Sequence, residues 1–362
     1  MPTVHELWSS KLSEAGFNAS KCWIAKDSSR VPELVSNLNH QTPKESRKDV
    51  KFRTYDFTKM YTNIELDSLK SQIAKLIDWV FAHQLQSMNR GKFLRVFRSK
   101  KENQRHWTRI GEDDSSKLKC FTPEKLKRWF NFLVDNIYLQ FSKDKILRQR
   151  IGIPMGTNCA VFVANLFCFT YEFDFISRLI EQNRLDVVSQ FRFTIRFVDD
   201  LLSCDNPIFD RYLYYSQTDS SGMRGIYPSF LTLKREQMSD VEVSFLDVLI
   251  YRAGDVFSTK IFDKREHPPL SFINNLKYPH PSCFLSGRSK LGIITSRLWC
   301  FGRICKRKCD FKARAKKFCS EFLKRGYASG RVRAFVVRFL RKVPLAFPVE
   351  NVISFAKSLI SM

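Results

Sequence analysis

Phe197-Val198-Asp199-Asp200 is the stretch whose reading decides the fold. Before it, Phe191 to Val198 reads as a strand (Phe-Arg-Phe-Thr-Ile-Arg-Phe-Val), and after it Leu201 and Leu202 restart an apolar run. Two adjacent carboxylates therefore fall where the chain reverses. Asp suits a tight turn without any further purpose, and alone the pair reads as a solvated hairpin tip. Two other segments change that reading. Phe52-Arg53-Thr54-Tyr55-Asp56-Phe57 is a short β-prone run with an acid, Asp56, at its end, before a helical pattern begins near Leu66, Leu69 and Ile73. Gly152-Ile153-Pro154-Met155-Gly156-Thr157-Asn158-Cys159-Ala160 is a glycine-bearing loop entering a long apolar helix from about Ala160 to Leu179, with Thr157 or Asn158 as N-cap. Small residues in such a loop let the backbone approach a flat partner closely.

A strand with an acid, a glycine loop with a helix, and paired acids on a hairpin, in that order, resemble motifs A, B and C of reverse transcriptases. The closer similarity is to the Penelope-like retroelements, the branch of reverse transcriptases most similar to telomerase. It is carried by Tyr61-Thr62-Asn63-Ile64, Gly152 to Ala160 with Ala164-Asn165-Leu166-Phe167 behind it, Phe197 to Asp200, Ser244-Phe245-Leu246-Asp247-Val248 and Lys260-Ile261-Phe262-Asp263-Lys264-Arg265. It covers roughly Tyr55 to Pro344, most of the chain. The fold this implies is α+β: a right-hand polymerase with an antiparallel-sheet palm, a helical fingers insertion and a helical basic thumb.

Charge agrees with a polyanionic partner. The 362 residues include 61 Lys and Arg against 36 Asp and Glu, a net charge of +25, which repels itself unless a polyanion is bound. Nucleic acid is the first candidate and an anionic membrane the second. From Cys283 to Lys342 there are 18 Lys and Arg against Asp310 and Glu321, so this segment holds 16 of the 25 surplus charges. Phe311, Ala315, Phe318 and Phe322 recur at helical spacing and predict one buried face, with Lys312, Lys316 and Lys317 off it. One-signed charge on such a helix points to phosphate contacts, whereas a merely solvated face carries both signs. Arg303, Lys306, Arg307 and Lys308 join these lysines as nucleic-acid-binding candidates; as a basic run they also fit a nuclear import signal.

The N-terminus lacks the basic start and continuous apolar stretch of a secretory signal, and the expected location is nuclear, with the cytoplasm as alternative. Ile153 to Tyr171 approaches membrane-spanning length, but Pro154, Gly156, Thr157, Asn158 and Asn165 argue for a buried helix, and no membrane contact is expected. The 10 cysteines read as reduced thiols. Cys300, Cys305, Cys309 and Cys319 lie within twenty residues but lack the paired Cys-x-x-Cys spacing of common zinc sites.

The expected organisation is an N-terminal, partial fingers region at 1–50, a palm and fingers at 51–275 with an insertion at about 66–150, and a basic helical thumb with a C-terminal tail at 276–362. Helices are predicted at Leu66 to Leu85 and Pro123 to Leu147, an exposed loop at Lys100 to Lys119, and strands at Phe230 to Lys234, Val243 to Tyr251 and Val256 to Phe262. The basic finger motifs of the family are not recognisable before Asp56, and neither is the nuclease that many Penelope-like elements carry after the thumb. The expectation for this chain is a weak polymerase.

The resemblance also implies site roles. Asp56 and Asp199 are the expected ligands of two Mg2+ ions, with Mn2+ as a possible substitute and the Phe57 carbonyl assisting; Asp200 is the third, less essential catalytic acid. Tyr61 matches the bulky residue under the incoming sugar, and Met155 and Gly156 lie against the nascent base pair. Lys234 is the nearest cation for the leaving pyrophosphate. Phe245, Leu246 and Asp247 match the primer grip. The implied activity is RNA-directed DNA polymerase, with an RNA template, a DNA primer and deoxynucleoside triphosphates as partners; the oligomeric state is unknown. An RNA-directed RNA polymerase usually has an acid at the position of Tyr61 and Gly at that of Val198. A non-catalytic nucleic-acid binder has no use for mutually repelling carboxylates at 56, 199 and 200.

Overall fold

A computed structural model describes residues 2–17, 22–86, 90–97, 105–108, 118–153, 157–219, 222–272 and 278–360. In chain order its elements are α1 (Pro2–Glu14), α2 (Arg30–Gln41), β1 (Phe52–Phe57), α3 (Met60–Asn63), α4 (Leu66–Gln86), β2 (Phe93–Phe97), β3 (Arg105–Thr108), β4 (Leu118–Phe121), α5 (Pro123–Asp135), β5 (Tyr138–Ser142) and β6 (Lys145–Arg148). There follow α6 (Ala160–Glu181), α7 (Leu185–Gln190), β7 (Thr194–Phe197), β8 (Asp200–Cys204), β9 (Leu233–Ser239), β10 (Glu242–Phe245), β11 (Val248–Ala253), β12 (Val256–Ile261), α8 (Gly287–Ile304), α9 (Lys308–Lys324), α10 (Ser329–Lys342) and α11 (Val352–Ile360). They fall into two compact units: residues 1–24 with 55–235, and residues 25–54 with 236–362.

The first unit is organised by α6. This helix is apolar on almost every side, which in a folded protein requires burial all round. It is long and apolar enough to cross a membrane, but 72% of its most apolar window is covered by the protein itself. Phe167, Phe169 and Phe175 are fully buried, and Phe169 and Phe173 pack on Trp8 of α1. Packing against Trp8, Trp23, Phe191 and Phe209 builds an aromatic core, the kind of surface that dominates burial energetics. In the sheet ordered β7-β8-β1-β9, β7 and β8 form a hairpin with Phe197 opposite Asp200.

The second unit joins an antiparallel sheet, β10-β11-β12, to the bundle α8 to α11. Phe311, Ala315, Phe318 and Phe322 of α9 are buried as their spacing predicts. They meet Leu298 and Phe301 of α8, Val336 and Phe339 of α10, and Leu359 of α11. Helix α2 docks on β12 through its Asn39 amide, which donates to the Phe257 carbonyl (2.8 Å) and accepts from the Phe257 N–H (2.9 Å).

Several local expectations are corrected. The strand before the acids is shorter: α7 runs to Gln190 and Phe191 closes it, so only Thr194 to Phe197 is extended. The helix from Pro123 ends at Asp135, because Asn136 stops it and Tyr138-Leu139 and Ile146-Leu147 form a hairpin around the Lys143-Asp144 turn. Within the predicted loop at 100–119, Arg105–Thr108 pairs with β2, as does Lys119 of β4; most of the remainder lies outside the described residues. Cys159, rather than Thr157 or Asn158, occupies the N-cap of α6, and Thr157 contributes its carbonyl to Ala160 instead. The strand predicted over Val243 to Tyr251 is two strands folded about Leu246-Asp247, and β9 begins only at Leu233.

Candidate active site

Asp56 lies on β1 between buried Tyr55 and Phe57, so strand alternation turns it to the half-exposed face of the sheet. The neighbouring strand is β8. The Phe57 N–H donates to the Asp199 carbonyl at 3.0 Å, which locks the end of β1 against the hairpin tip. Three half-buried acidic residues, Asp56, Asp199 and Asp200, thus lie on the neighbouring strands β1 and β8 and the turn before β8, from segments more than 140 residues apart.

The hairpin turn itself is strained. Val198 and Asp199 are its two central residues, and Val198 has φ = 56°. A β-branched residue in the left-handed region is an outlier, found where the surroundings hold it. Bonded to the Val198 carbonyl is Arg196, a residue that the strand pattern alone did not single out. Its side chain is 0% exposed and ion-paired to Glu172, equally buried, at 2.5 Å. Its remaining guanidinium N–H groups reach the Asn165 side chain (2.7 Å), the Asn165 carbonyl (3.1 Å), the second Glu172 oxygen (3.3 Å) and the Val198 carbonyl (3.0 Å). The Tyr227 hydroxyl donates to Glu172 (2.9 Å). Burial opposes the charge on Arg196, but Glu172 outweighs it and the guanidinium pKa is raised. A signal for this network was present in the sequence: Asn165 and Glu172 are seven residues apart in the most apolar part of the helix, hence on one face.

Tyr61 stands beside this site. Burial, and then the negative charge of Asp199, raise its pKa. The start of the glycine loop is strapped to the same segment: Gly152 N–H donates to the Ile64 carbonyl and Ile153 N–H to the Tyr61 carbonyl, each at 2.7 Å. Gly152 has φ = 84°, and a Cβ there would stand 2.3 Å from the Tyr61 carbonyl oxygen, so the close approach requires glycine. Met155 and Gly156 lie outside the described residues. Lys234 is exposed on β9, the strand after Thr232, whose carbonyl accepts from Thr58 N–H at 2.9 Å.

The remaining predicted residues belong to the second unit. Phe245 is buried and Leu246 and Asp247 are half-buried at the β10–β11 turn. Lys306, Arg307, Lys308, Lys312 and Lys316 are exposed along the start and outer face of α9. Lys317 is exposed too but pairs with Glu266 (2.9 Å). Arg303 stacks over Trp299 and bonds Ser29. Cys305 and Cys319 are buried thiols pushed up to about 12, and Cys300 to about 11, chiefly by burial.

Among the described residues no three His, Cys, Asp or Glu side chains converge into a self-sufficient metal cage. Mg2+ keeps waters and is bound by one or two carboxylates together with substrate phosphates, so it needs no such cage. Asp56 and Asp199 are carboxylates, the kind of hard oxygen donor that such an ion takes.

No protein-family model matches the chain, and no curated protein is significantly similar to it. Among solved structures, a telomerase from Candida albicans in complex with a TWJ fragment of telomeric RNA aligns with a TM-score of 0.52 at 11% identity, over 99% of this chain and 55% of that one. The corresponding complex from Candida tropicalis aligns with a TM-score of 0.44 at 11% identity, over 99% and 56%. The chain thus spans about half the length of the telomerase chains it matches. The Candida albicans comparison gives the fold: a telomerase-related reverse-transcriptase fold of helices and antiparallel sheet.

Proposed function

We propose that this chain is an RNA-directed DNA polymerase of Penelope-like type, with the first unit supplying palm and fingers and the helical bundle of the second supplying the thumb. The observation that carries the reading is the bond from Phe57 N–H to the Asp199 carbonyl, which joins the end of β1, next to Asp56, to the turn that bears Asp199. In this reading Asp56 and Asp199, with the Phe57 carbonyl, hold two Mg2+ ions, and Asp200 is the less essential acid. When bound, such a pair stabilises charge on the attacking and leaving oxygens of an in-line displacement at phosphorus. Tyr61 lies under the incoming sugar and excludes a 2′-hydroxyl. Met155 and Gly156 line the nascent base pair, and Lys234 faces the leaving pyrophosphate. Phe245, Leu246 and Asp247 support the primer end, while the exposed cations from Arg303 to Lys317 grip the phosphates of a template–primer duplex. The Candida albicans telomerase of similar fold is described in complex with a TWJ fragment of telomeric RNA, which supports RNA as a partner here. A nuclear site of action accords with this role.

The test is primer extension by the purified chain on RNA and DNA templates in parallel, with deoxynucleotides and ribonucleotides. The expected result is Mg2+-dependent DNA synthesis on RNA. Tyr61→Ala is expected to admit ribonucleotides, seen as a fall in the ratio of deoxynucleotide to ribonucleotide incorporation efficiency. An unchanged ratio makes Tyr61 a packing residue. Duplex binding without any extension would favour a non-catalytic binder, and ribonucleotide incorporation by the unsubstituted chain would favour an RNA polymerase.

A further inference from the structure

The site holds more buried machinery than two carboxylates require. A fully buried arginine has five N–H donors to satisfy, and Arg196 satisfies them with four acceptors on one face of α6 and a fifth on the turn, the Val198 carbonyl. Asn165 and Glu172 are both buried on α6. Glu172 is itself fixed from a third direction by Tyr227. The network thus ties the central helix of the unit to the one residue of the hairpin whose backbone is strained.

We propose that Arg196 is a positioning residue: by holding the Val198 carbonyl it keeps this β-branched residue left-handed and so aims the Asp199 carboxylate at the catalytic metal. The inference rests on the polymerase reading for the metal, but the coupling between Arg196 and the turn is a property of the fold. Lysine cannot replace it, since three donors on a flexible stem do not bridge both Glu172 oxygens and a carbonyl. Charge is therefore insufficient, and geometry is what the guanidinium supplies. Groups that orient metal ligands from behind typically matter at the level of 10–100-fold in metal affinity.

The test uses Mn2+ alone, with bound ion measured by electron paramagnetic resonance. Arg196→Lys keeps the charge opposite Glu172, and the paired substitution R196M/E172Q removes both charges together, so at least one of the two is expected to remain folded by circular dichroism. Either change is expected to weaken Mn2+ binding roughly tenfold. Glycine adopts positive φ without cost, so in a V198G background the same change is expected to weaken binding by less than about threefold. A purely structural role for Arg196 predicts equal losses in both backgrounds, and that result overturns the proposal. It is overturned equally by unaltered binding in the R196K and R196M/E172Q chains, or by an unsubstituted chain that binds no Mn2+. If the Mn2+ pattern holds but the unsubstituted chain extends no primer, the polymerase reading fails and the coupling stands.

Discussion

The two units contain nearly the same hairpin turn. In one, Phe197-Val198-Asp199-Asp200 closes β7 and β8; in the other, Phe245-Leu246-Asp247-Val248 closes β10 and β11. Both have a bulky residue at positive φ in the first central position, Val198 at 56° and Leu246 at 57°, where II′ hairpins prefer glycine. In both, the aspartate carbonyl accepts from a phenylalanine N–H, that of Phe57 at the end of β1 at 3.0 Å and that of Phe262 just after β12 at 2.9 Å. The residues around these turns differ. Arg196 precedes Phe197 and is buried on Glu172, whereas Ser244 precedes Phe245 and bonds an exposed Gln237. Asp200 leads β8 as a second half-buried acid, whereas Val248 at that place is fully buried. One backbone device is thus built for charge in the first unit and for packing in the second. A strand bond closes both turns, and the acidic one adds the bond from the Arg196 guanidinium to the Val198 carbonyl.

The largest expected difference between the turns follows from this. Arg196→Met leaves Glu172 buried without its partner and should destabilise the fold by about 3–5 kcal/mol. Ser244→Ala should stay within about 0.5 kcal/mol, as surface changes do. Chemical denaturation of both variants checks the pair, and similar losses would erase the distinction.

A second contrast concerns glycines at positive φ. Gly152→Ala meets both the backbone penalty and the Tyr61 carbonyl, and about 2 kcal/mol or more is expected. Gly254 has φ = 67°, and a Cβ at that position would meet nothing within 4 Å, so Gly254→Ala should cost about 1 kcal/mol, the backbone term alone. Equal melting temperatures for the two variants would contradict the close strapping of the glycine loop to the Tyr61 segment.

The smallest effect is on binding. Removing the charges of Lys312, Lys316 and Lys317 together should flatten the log–log salt dependence of duplex binding by nearer ~1.8 than ~2.7, at about 0.9 per phosphate contact, because Lys317 is already tied to Glu266. The single-turnover rate at saturating duplex should not change. A lower rate would mean that the α9 surface takes part in the chemistry.

The legibility of the two regions in the sequence differed for physical reasons. The acidic hairpin, the α6 helix and the apolar face of α9 were readable because each rests on a local period or a turn signal. Arg196 was not, because its partners Asn165 and Glu172 come from another element, with Tyr227 bonded to Glu172 in turn, and become neighbours only through tertiary packing. The helix predicted beyond Asp135 failed for a related reason. Leu139, Ile146 and Leu147 fit a helical or an alternating pattern over so short a run, and the Lys143-Asp144 turn decided for strands. The roles proposed for Asp56 and Asp199 came from resemblance to motifs, and the structure adds a backbone bond from Phe57, the neighbour of Asp56, to Asp199.

The central claim is that the acidic turn performs metal-dependent chemistry while its look-alike does not. The most direct measurement is the single-turnover rate of deoxynucleotide incorporation on an RNA template, against Mg2+ concentration, for the unsubstituted chain, Asp199→Asn and Asp247→Asn. The account predicts a Mg2+-dependent rate in the unsubstituted chain, a loss of roughly a thousandfold in Asp199→Asn, and a rate at saturating primer within about threefold of the original in Asp247→Asn. Incorporation by Asp199→Asn at the unsubstituted rate, in material free of other polymerases, would contradict it.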